Sequence, residues 1–155
     1  MGNLLTFILA IVLVIMGALY LRTIQLNMSS DQQIFATGTS DATPNGFYSG
    51  SVMGPTVSWQ GKRFNGANKT GVNVFADGAS TRDKYPFTFT RLEGSHDPMT
   101  VIAIDYNLSD NPWWLRPVLD EIVEVAPGKY LGKLELRLIP SYPFTLTFFR
   151  LSKSQ

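Results

Sequence analysis

The chain has 155 residues, with 13 Lys and Arg against 12 Asp and Glu, and it contains no Cys. The basic residues are scattered among acidic ones rather than clustered, which argues against a nucleic-acid partner. The lack of cysteine excludes disulfide bonds, thiolate nucleophiles and cysteine metal sites. All charged side chains lie beyond residue 21, so the N-terminal segment and the remainder suit different environments.

The N-terminal segment, residues 4–21, is uncharged and almost wholly apolar. As a helix, such a run crosses the ~30 Å hydrocarbon core of a bilayer, and a helix is how an isolated segment satisfies its backbone in lipid. The alternative is a cleaved secretory signal, but no basic residue precedes the run, which exceeds the ~7–15-residue core of a signal. We predict a permanent single-pass transmembrane helix in contact with the lipid bilayer.

The side of the membrane is weakly encoded. Arg22 is the basic residue that flanks the helix, and by the positive-inside rule it favours a cytoplasmic domain. A short N-terminus without basic residues, followed by a long polar domain, is instead typical of exported proteins. We place the domain on the periplasmic or outer side.

The segment after the helix, residues 22–45, is rich in Ser, Thr, Asp, Gln and Gly and poor in aliphatic side chains. This composition predicts a polar linker or stalk. Ile34 and Phe35 are its sizeable apolar pair, and we expect them to dock on the folded domain, which comprises residues 46–155.

From residue 46 onward, short runs of alternating apolar residues are separated by clusters of Gly, Pro, Asn and Asp, a pattern typical of an all-β sandwich or barrel. The predicted strands cover residues 47–53, 56–64, 71–76, 85–92, 99–106, 119–125, 129–138 and 143–151. Because the connections are short, we predict an antiparallel up-and-down barrel of about eight strands. Residues 119–125 also suit a short helix, but their β-branched side chains favour a strand.

The connection at Pro127-Gly128 predicts a type II turn, in which Gly accepts the positive φ of the third position. In the strand that follows, Tyr130 and Leu134 share one face while Lys133 and Glu135 share the other. This alternation predicts that the face of Tyr130 belongs to the core.

Two strands carry aromatic side chains on one face and Thr on the other. If the aromatic faces line the lumen of a small barrel, they supply a candidate ligand site, whose polar side chains would hold a ligand or form structural ion pairs. The predicted ligand-binding residues are Tyr85, Phe87, Phe89, Arg91, Asp105, Phe144, Phe148 and Arg150.

Trp113, Trp114 and Leu115 lie in a loop bracketed by prolines. Tryptophan is favoured at membrane interfaces and at protein contacts, so we predict that this loop touches the bilayer or a partner subunit. The alternative is that one Trp plugs an end of the barrel.

No catalytic or metal-binding pattern is present in the sequence. The chain has one histidine, His96, within a turn-forming sequence that predicts a solvated residue, and no G-x-S-x-G elbow occurs. We therefore predict no catalytic residues, no metal and no cofactor.

Four segments carry a resemblance to a known group of proteins. They are Phe47-Tyr48-x-Gly50, Trp59-x-Gly61-Lys62-x-Phe64, Asp105-Tyr106 and, at residues 112–133, PWWLRPVLDEIVEVAPGKYLGK. Over about residues 46–151 the sequence resembles small bacterial lipocalin-like proteins of calycin type. The resemblance implies a β-barrel that holds an apolar molecule, and it supplies no active-site residues.

These features predict a membrane-anchored lipocalin-like barrel that binds an apolar small molecule, a lipid or pigment, at the membrane surface. The alternative is a non-catalytic accessory subunit of a larger membrane complex, which docks by its helix and its aromatic loop. An isomerase or cyclase within the barrel is a third hypothesis, for which the sequence names no acid or base.

Overall fold

The computed structural model describes residues 2–52 and 58–153, which form two helices and eight strands. The helices are α1 (Gly2–Asn27) and α2 (Ser30–Phe35). The strands are β1 (Gly46–Val52), β2 (Trp59–Asn65), β3 (Thr70–Asp77), β4 (Ser80–Glu93), β5 (Thr100–Asp105), β6 (Val118–Ala126), β7 (Lys129–Ile139) and β8 (Tyr142–Lys153).

The eight strands form a closed barrel in sequence order, and β1 pairs with β8 to complete it. All the pairs are antiparallel, which confirms the predicted up-and-down barrel. Each predicted strand corresponds to an observed one, but β4 begins five residues earlier than predicted because its exposed first part extends the hairpin with β3. Residues 53 and 56–57 of the predicted strands lie outside the described residues.

The turn between β6 and β7 has the predicted backbone conformation. Gly128 has φ +69°, and its N–H donates to Oε1 of Glu124 at 2.7 Å. Residues 119–125 lie within β6, so the alternative of a short helix is wrong.

The interior of the barrel is filled largely by aromatic and β-branched side chains. The ring of Phe64 lies 5.4 Å from the rings of both Phe87 and Phe89, in edge-to-face contacts. The interior cluster comprises Tyr48, Phe64, Phe87, Phe89, Ile102, Ile104, Tyr106, Ile122, Tyr130, Phe149 and Leu151. The face of β7 that carries Tyr130 belongs to this core, as its alternation predicts.

A second apolar cluster covers the outside of the barrel beneath the helices. It comprises Leu26, Phe35, Val101, Val123, Leu131 and Phe148. Both faces of β5 to β8 are consequently buried over much of their length, and the charged side chains Lys133 and Glu135 on the outer face of β7 are fully buried as well. Strand alternation therefore identifies two faces here without distinguishing core from solvent.

The segment predicted as a polar stalk is structured instead. Helix α1 continues to Asn27, and Ser29 caps α2 by accepting a hydrogen bond from the N–H of Gln32 at 3.2 Å. Phe35 is fully buried against the barrel, as expected from the sequence, and Thr39 pairs with Glu124 of β6. Ile34 is 44% exposed, so of the predicted apolar pair it is Phe35 that docks on the barrel.

Helix α1 runs along the first half of β8. The ring of Tyr20 lies 6.0 Å from that of Tyr142, the first residue of β8. Thr23 accepts a hydrogen bond from the N–H of Thr145 at 3.0 Å, and Leu26 reaches the cluster of Phe148 farther along the strand. The preceding residues project beyond the start of β8, and residues 3–15 are exposed throughout. Residues 3–27 are long and apolar enough to cross a membrane, a property that a signal sequence shares.

Candidate functional site

A network of polar side chains lies inside the barrel. Nζ of Lys62 on β2 lies 2.8 Å from Oδ2 of Asp120 on β6 and 2.9 Å from Oδ1 of Asn73 on β3. The hydroxyl of Tyr106 also contacts Lys62, and it donates to Oδ2 of Asp120 at 2.8 Å. Nε1 of Trp59 donates to Oδ1 of Asn73 at 3.1 Å. Three strands and the end of β5 thus meet at one polar point.

Strand alternation explains why two charged side chains point inward. Lys62 is two residues from Phe64, and Asp120 is two residues from Ile122, so each shares the face of an interior side chain. The register of β2 shifts at Gly61, which has φ +138° and lies against the backbone of β1. A Cβ at that position would lie 2.0 Å from the carbonyl oxygen of Tyr48, so only Gly fits there.

Burial governs the electrostatics of the network. The side chains of Lys62 and Asp120 are each 3% exposed. Burial lowers the pKa of Lys62, and the Asp120 carboxylate opposes that shift. Burial and the same carboxylate raise the pKa of Tyr106 well above its ordinary value. Nζ of Lys62 also lies 5.1 to 5.6 Å from the centres of four aromatic rings, which stabilise a cation.

A cavity of about 310 Å³ extends from this network to one end of the barrel, where it is partly open. Its wall is mostly apolar, and its polar members belong chiefly to the network. The lining residues are Val52, Trp59, Lys62, Asn73, Phe75, Tyr85, Tyr106, Leu115, Val118, Asp120, Leu134, Thr147 and Phe149. Even-numbered strands of an up-and-down barrel begin at the same end, and the cavity reaches Trp59 and Val118, the first residues of β2 and β6. We call this the cavity end.

Within the network, the hydrogen bonds among the described residues leave Oδ1 of Asp120 without a donor. The ammonium of Lys62 has three N–H groups, and its contacts with Asp120, Asn73 and Tyr106 account for all of them. Oδ1 of Asp120 is buried and has no hydrogen-bond partner among the residues that the structure describes. Buried polar atoms without a partner are uncommon in native proteins, and each calls for an explanation.

A second group of buried charges lies outside the barrel wall. Lys133 pairs with Asp97 and lies 4.3 Å from the centre of the Phe35 ring, while Glu121 accepts hydrogen bonds from Ser95. Burial and the neighbouring Glu121 carboxylate raise the pKa of Glu135 to about 7, against the opposing effect of Lys133.

His96 belongs to the same region, and the prediction that it is solvated is wrong. Its side chain is 9% exposed, and its Nε2 lies 2.8 Å from the carbonyl oxygen of Pro143. Among residues 2–52 and 58–153, no three His, Asp or Glu side chains are placed to hold a metal ion.

The predicted lumen residues separate into two sets. Tyr85 lines the cavity, and Phe87 and Phe89 belong to the interior cluster. Phe148 instead packs outside the barrel against Phe35 of α2, at 6.3 Å between ring centres. The buried ring of Phe144 contacts Tyr142, which adjoins α1 through Tyr20.

The three charged residues of the predicted lumen set also lie away from the cavity. Arg150 pairs with Asp31 of α2 at 2.6 Å, and Asp105 pairs with Arg137 at 2.6 Å. Arg91 donates to the backbone carbonyl groups of residues 40 and 41. For Phe148 and Arg150 the prediction failed because it assumed a single buried face, whereas the N-terminal segment covers the second face of β8. Arg91 shares the face of Phe89 but lies near the end of β4, at the end of the barrel opposite the cavity.

The aromatic loop between β5 and β6 lies at the cavity end. Trp113 is 80% exposed and Trp114 is 50% exposed, although the ring of Trp114 lies 5.8 Å from that of Tyr85. Leu115 lines the cavity. The loop is thus placed to contact something outside the barrel, and that contact stays a prediction.

Sequence reasoning missed the polar network itself. Trp59, Lys62 and Tyr106 belong to the motifs that carry the lipocalin-like resemblance, and Asp120 lies within the longest of them. The available signal was the position of a charged residue on the apolar face of a strand, at Lys62 and Asp120. Cross-strand register, which places them together, is not readable from the sequence.

Comparison with known proteins supports the fold. No protein-family profile and no curated protein matches the sequence. The crystal structure of a protein from Thermomonospora curvata is similar, with a TM-score of 0.59 and 11% sequence identity over 80% of this chain and 85% of that one. At this identity the similarity shows the barrel fold alone, so the lipocalin-like assignment stays a prediction.

Proposed function

We propose that this protein is a membrane-anchored barrel that binds a small, apolar, uncharged molecule in its lumen. The observation that carries the proposal is the cavity of about 310 Å³, which has an apolar wall and ends on a polar network. Sites for small molecules commonly combine an apolar lining with a few fixed polar groups. Helix α1 supplies the anchor, since it is long and apolar enough to cross a membrane.

The volume limits the size of the ligand. The cavity lies at the low end of the ~300–1,000 Å³ range of ligand pockets. At ~30 Å³ per water molecule it holds the equivalent of roughly ten waters. It therefore suits a compound of about that number of non-hydrogen atoms, or the end of a longer lipid or pigment.

The polar network selects the head group. All the N–H groups of Lys62 are already used. Asp120 lines the cavity, and its buried Oδ1 has no partner among the residues that the structure describes. A ligand hydroxyl can donate to that oxygen. A ligand carboxylate would be repelled by it, and desolvating the added charge would cost further free energy. The network thus favours an alcohol over an acid of the same length.

The experiment compares 1-decanol with decanoate, using the full chain in lipid nanodiscs. Nuclear Overhauser effects from 1-decanol to the methyl groups of Leu115, Val118 and Leu134 would locate it in the cavity rather than in the bilayer. We expect decanoate to bind at least ~10-fold more weakly, which corresponds to ~1.4 kcal/mol.

Two variants on one strand provide the control. Val118→Phe places a ring in the cavity and should abolish the Overhauser effects to Leu115 and Leu134. Val125→Phe adds the same ring at an exposed position of β6 and should leave them unchanged. Equal effects of the two variants, or no Overhauser effects in the wild-type chain, would contradict ligand binding in the cavity.

An accessory subunit is the second candidate function, favoured by the 80% exposure of Trp113. A photoreactive amino acid at position 113, activated in native membranes, distinguishes the candidates. Reproducible attachment to one protein would support the accessory role, and attachment to lipid alone would remove its main support.

A further inference from the structure

The N-terminal helix leaves the barrel at the cavity end. Tyr142 is the first residue of β8, an even-numbered strand, and therefore lies at the same end as Trp59 and Val118. Tyr20 contacts Tyr142, and Leu26 contacts Phe148 farther into the strand. The apolar residues before Tyr20 thus project past the cavity end rather than past the opposite end.

The same end carries a set of exposed apolar and aromatic side chains, which we call the rim. Two lie on the loop that leads into β6, two lie at the end of β7, and one lies on α1. They are Trp113 (80% exposed), Trp114 (50%), Leu138 (48%), Ile139 (39%) and Tyr20 (49%). The rim joins the projecting helix to the opening of the cavity.

We infer that the rim sits in the interface of the lipid bilayer, so that the cavity opens towards the membrane. This inference rests on the proposed anchoring of α1, which brings the cavity end to the bilayer. Trp and Tyr are favoured at the depth of the lipid head groups because their rings are apolar and their N–H and O–H groups are polar. Leu138 and Ile139 add apolar area that water solvates poorly.

The position of the charged β3–β4 hairpin is consistent with contact between the rim and the bilayer. In an eight-stranded barrel β4 lies opposite β8, and the hairpin of β3 and β4 is exposed and charged, with Asp77 paired to Arg82 and Asp83 to Arg63. This charged hairpin is therefore the part of the cavity end farthest from α1, and the Asp105–Arg137 ion pair lies between it and the end of β7. The barrel sits tilted, with the hairpin among head groups and water.

The arrangement defines a route for the ligand. A molecule dissolved in the bilayer reaches the cavity by passing between the rim and the hairpin, without crossing bulk water. An apolar ligand enters by this route without the free-energy cost of exposing its surface to water.

The test uses the absence of native cysteine in the chain. Trp113→Cys and Leu138→Cys place a single nitrobenzoxadiazole label on the rim, and Ala67→Cys places it on the exposed turn between β2 and β3, at the opposite end. Each full-length variant is reconstituted in vesicles of phosphatidylcholine and phosphatidylglycerol. We expect blue-shifted emission and strong quenching by spin-labelled lipid at the two rim positions. At position 67 we expect quenching by aqueous iodide.

The outcomes separate this inference from the anchoring on which it depends. Release of the protein from the vesicles by alkaline carbonate overturns the anchoring and this inference together. Retention in the vesicles, with rim labels quenched by iodide as strongly as the label at position 67, overturns this inference alone. Thermal unfolding of each labelled variant shows that it is folded, which is expected because all three positions are exposed.

Discussion

Nζ of Lys62 lies 2.8 Å from Oδ2 of Asp120 in the interior of the barrel, where each side chain is 3% exposed. A buried ion pair is a weak contributor to stability, because desolvating the two charges costs about as much as their attraction returns. Such a pair is nevertheless hard to break from one side. The Lys62–Asp120 pair therefore serves as the fixed polar end of an otherwise apolar cavity.

We predict that Lys62→Met lowers the free energy of unfolding by about 3–5 kcal/mol, because it leaves the charge of Asp120 buried without a partner. Adding Asp120→Leu should recover most of this loss. Urea unfolding of the full chain in mild detergent measures both effects, and the exposed Lys129→Met is the control. A double variant no more stable than Lys62→Met would contradict the pairing.

The second prediction concerns pH and Glu135. Its pKa in the fold is about 7, above the ordinary value of 4.5, so between these values the folded chain binds more protons than the unfolded chain. Its contribution to stability is complete below pH 4.5 and is lost as the pH rises through 7. We expect wild type to lose up to roughly 3 kcal/mol relative to Glu135→Gln between pH 5 and pH 8.

Other titratable groups near Glu135 could contribute to the same pH dependence, so the experiment needs a control. Glu121, Lys133 and His96 are its charged or titratable neighbours. The exposed substitution Glu93→Gln is the control, and it should keep the pH profile of wild type. If Glu135→Gln also keeps that profile, Glu135 is not the group responsible.

The third prediction tests the packing of α2. Phe35 is fully buried beside Phe148, whereas its neighbour Ile34 is 44% exposed. Phe35→Ala should cost about 3–5 kcal/mol and make residues 28–40 susceptible to limited proteolysis. Ile34→Ala should do neither. Equal proteolysis of the two variants would contradict this packing and support the polar stalk that the sequence predicts.

The fourth prediction concerns the turn between β6 and β7. Gly128 has φ +69°, so Gly128→Val should cost on the order of 1–3 kcal/mol through backbone strain. Ala126→Val changes an exposed strand residue of the same hairpin and should have little effect. An unchanged melting temperature for Gly128→Val would show that the turn tolerates a negative φ.

The sequence was sufficient to predict the barrel because alternation and turn residues are local properties. Pro127 and Gly128 mark a turn whatever surrounds them, and seven short connections between eight strand-like runs are enough to predict a meander. The site depends on non-local relationships. Lys62 and Asp120 meet because of cross-strand register. Phe148 can be buried on the outside of the barrel because α2 covers it there. A pattern of period two marks both faces of β8 alike, so it could not exclude Phe148 or Arg150 from the lumen.

The hydrogen bonds of Thr23 have a mechanical consequence. Its hydroxyl donates to the carbonyl oxygen of Leu19 within α1 and accepts from the N–H of Thr145 in β8. The helix continues without interruption from its apolar part to this junction. The barrel is therefore joined to the apolar part by a rigid helix and not by a flexible linker. Tilting the helix must swing the whole barrel. Bilayer thickness, which sets the tilt of a spanning helix, would then also set the angle at which the barrel meets the lipid.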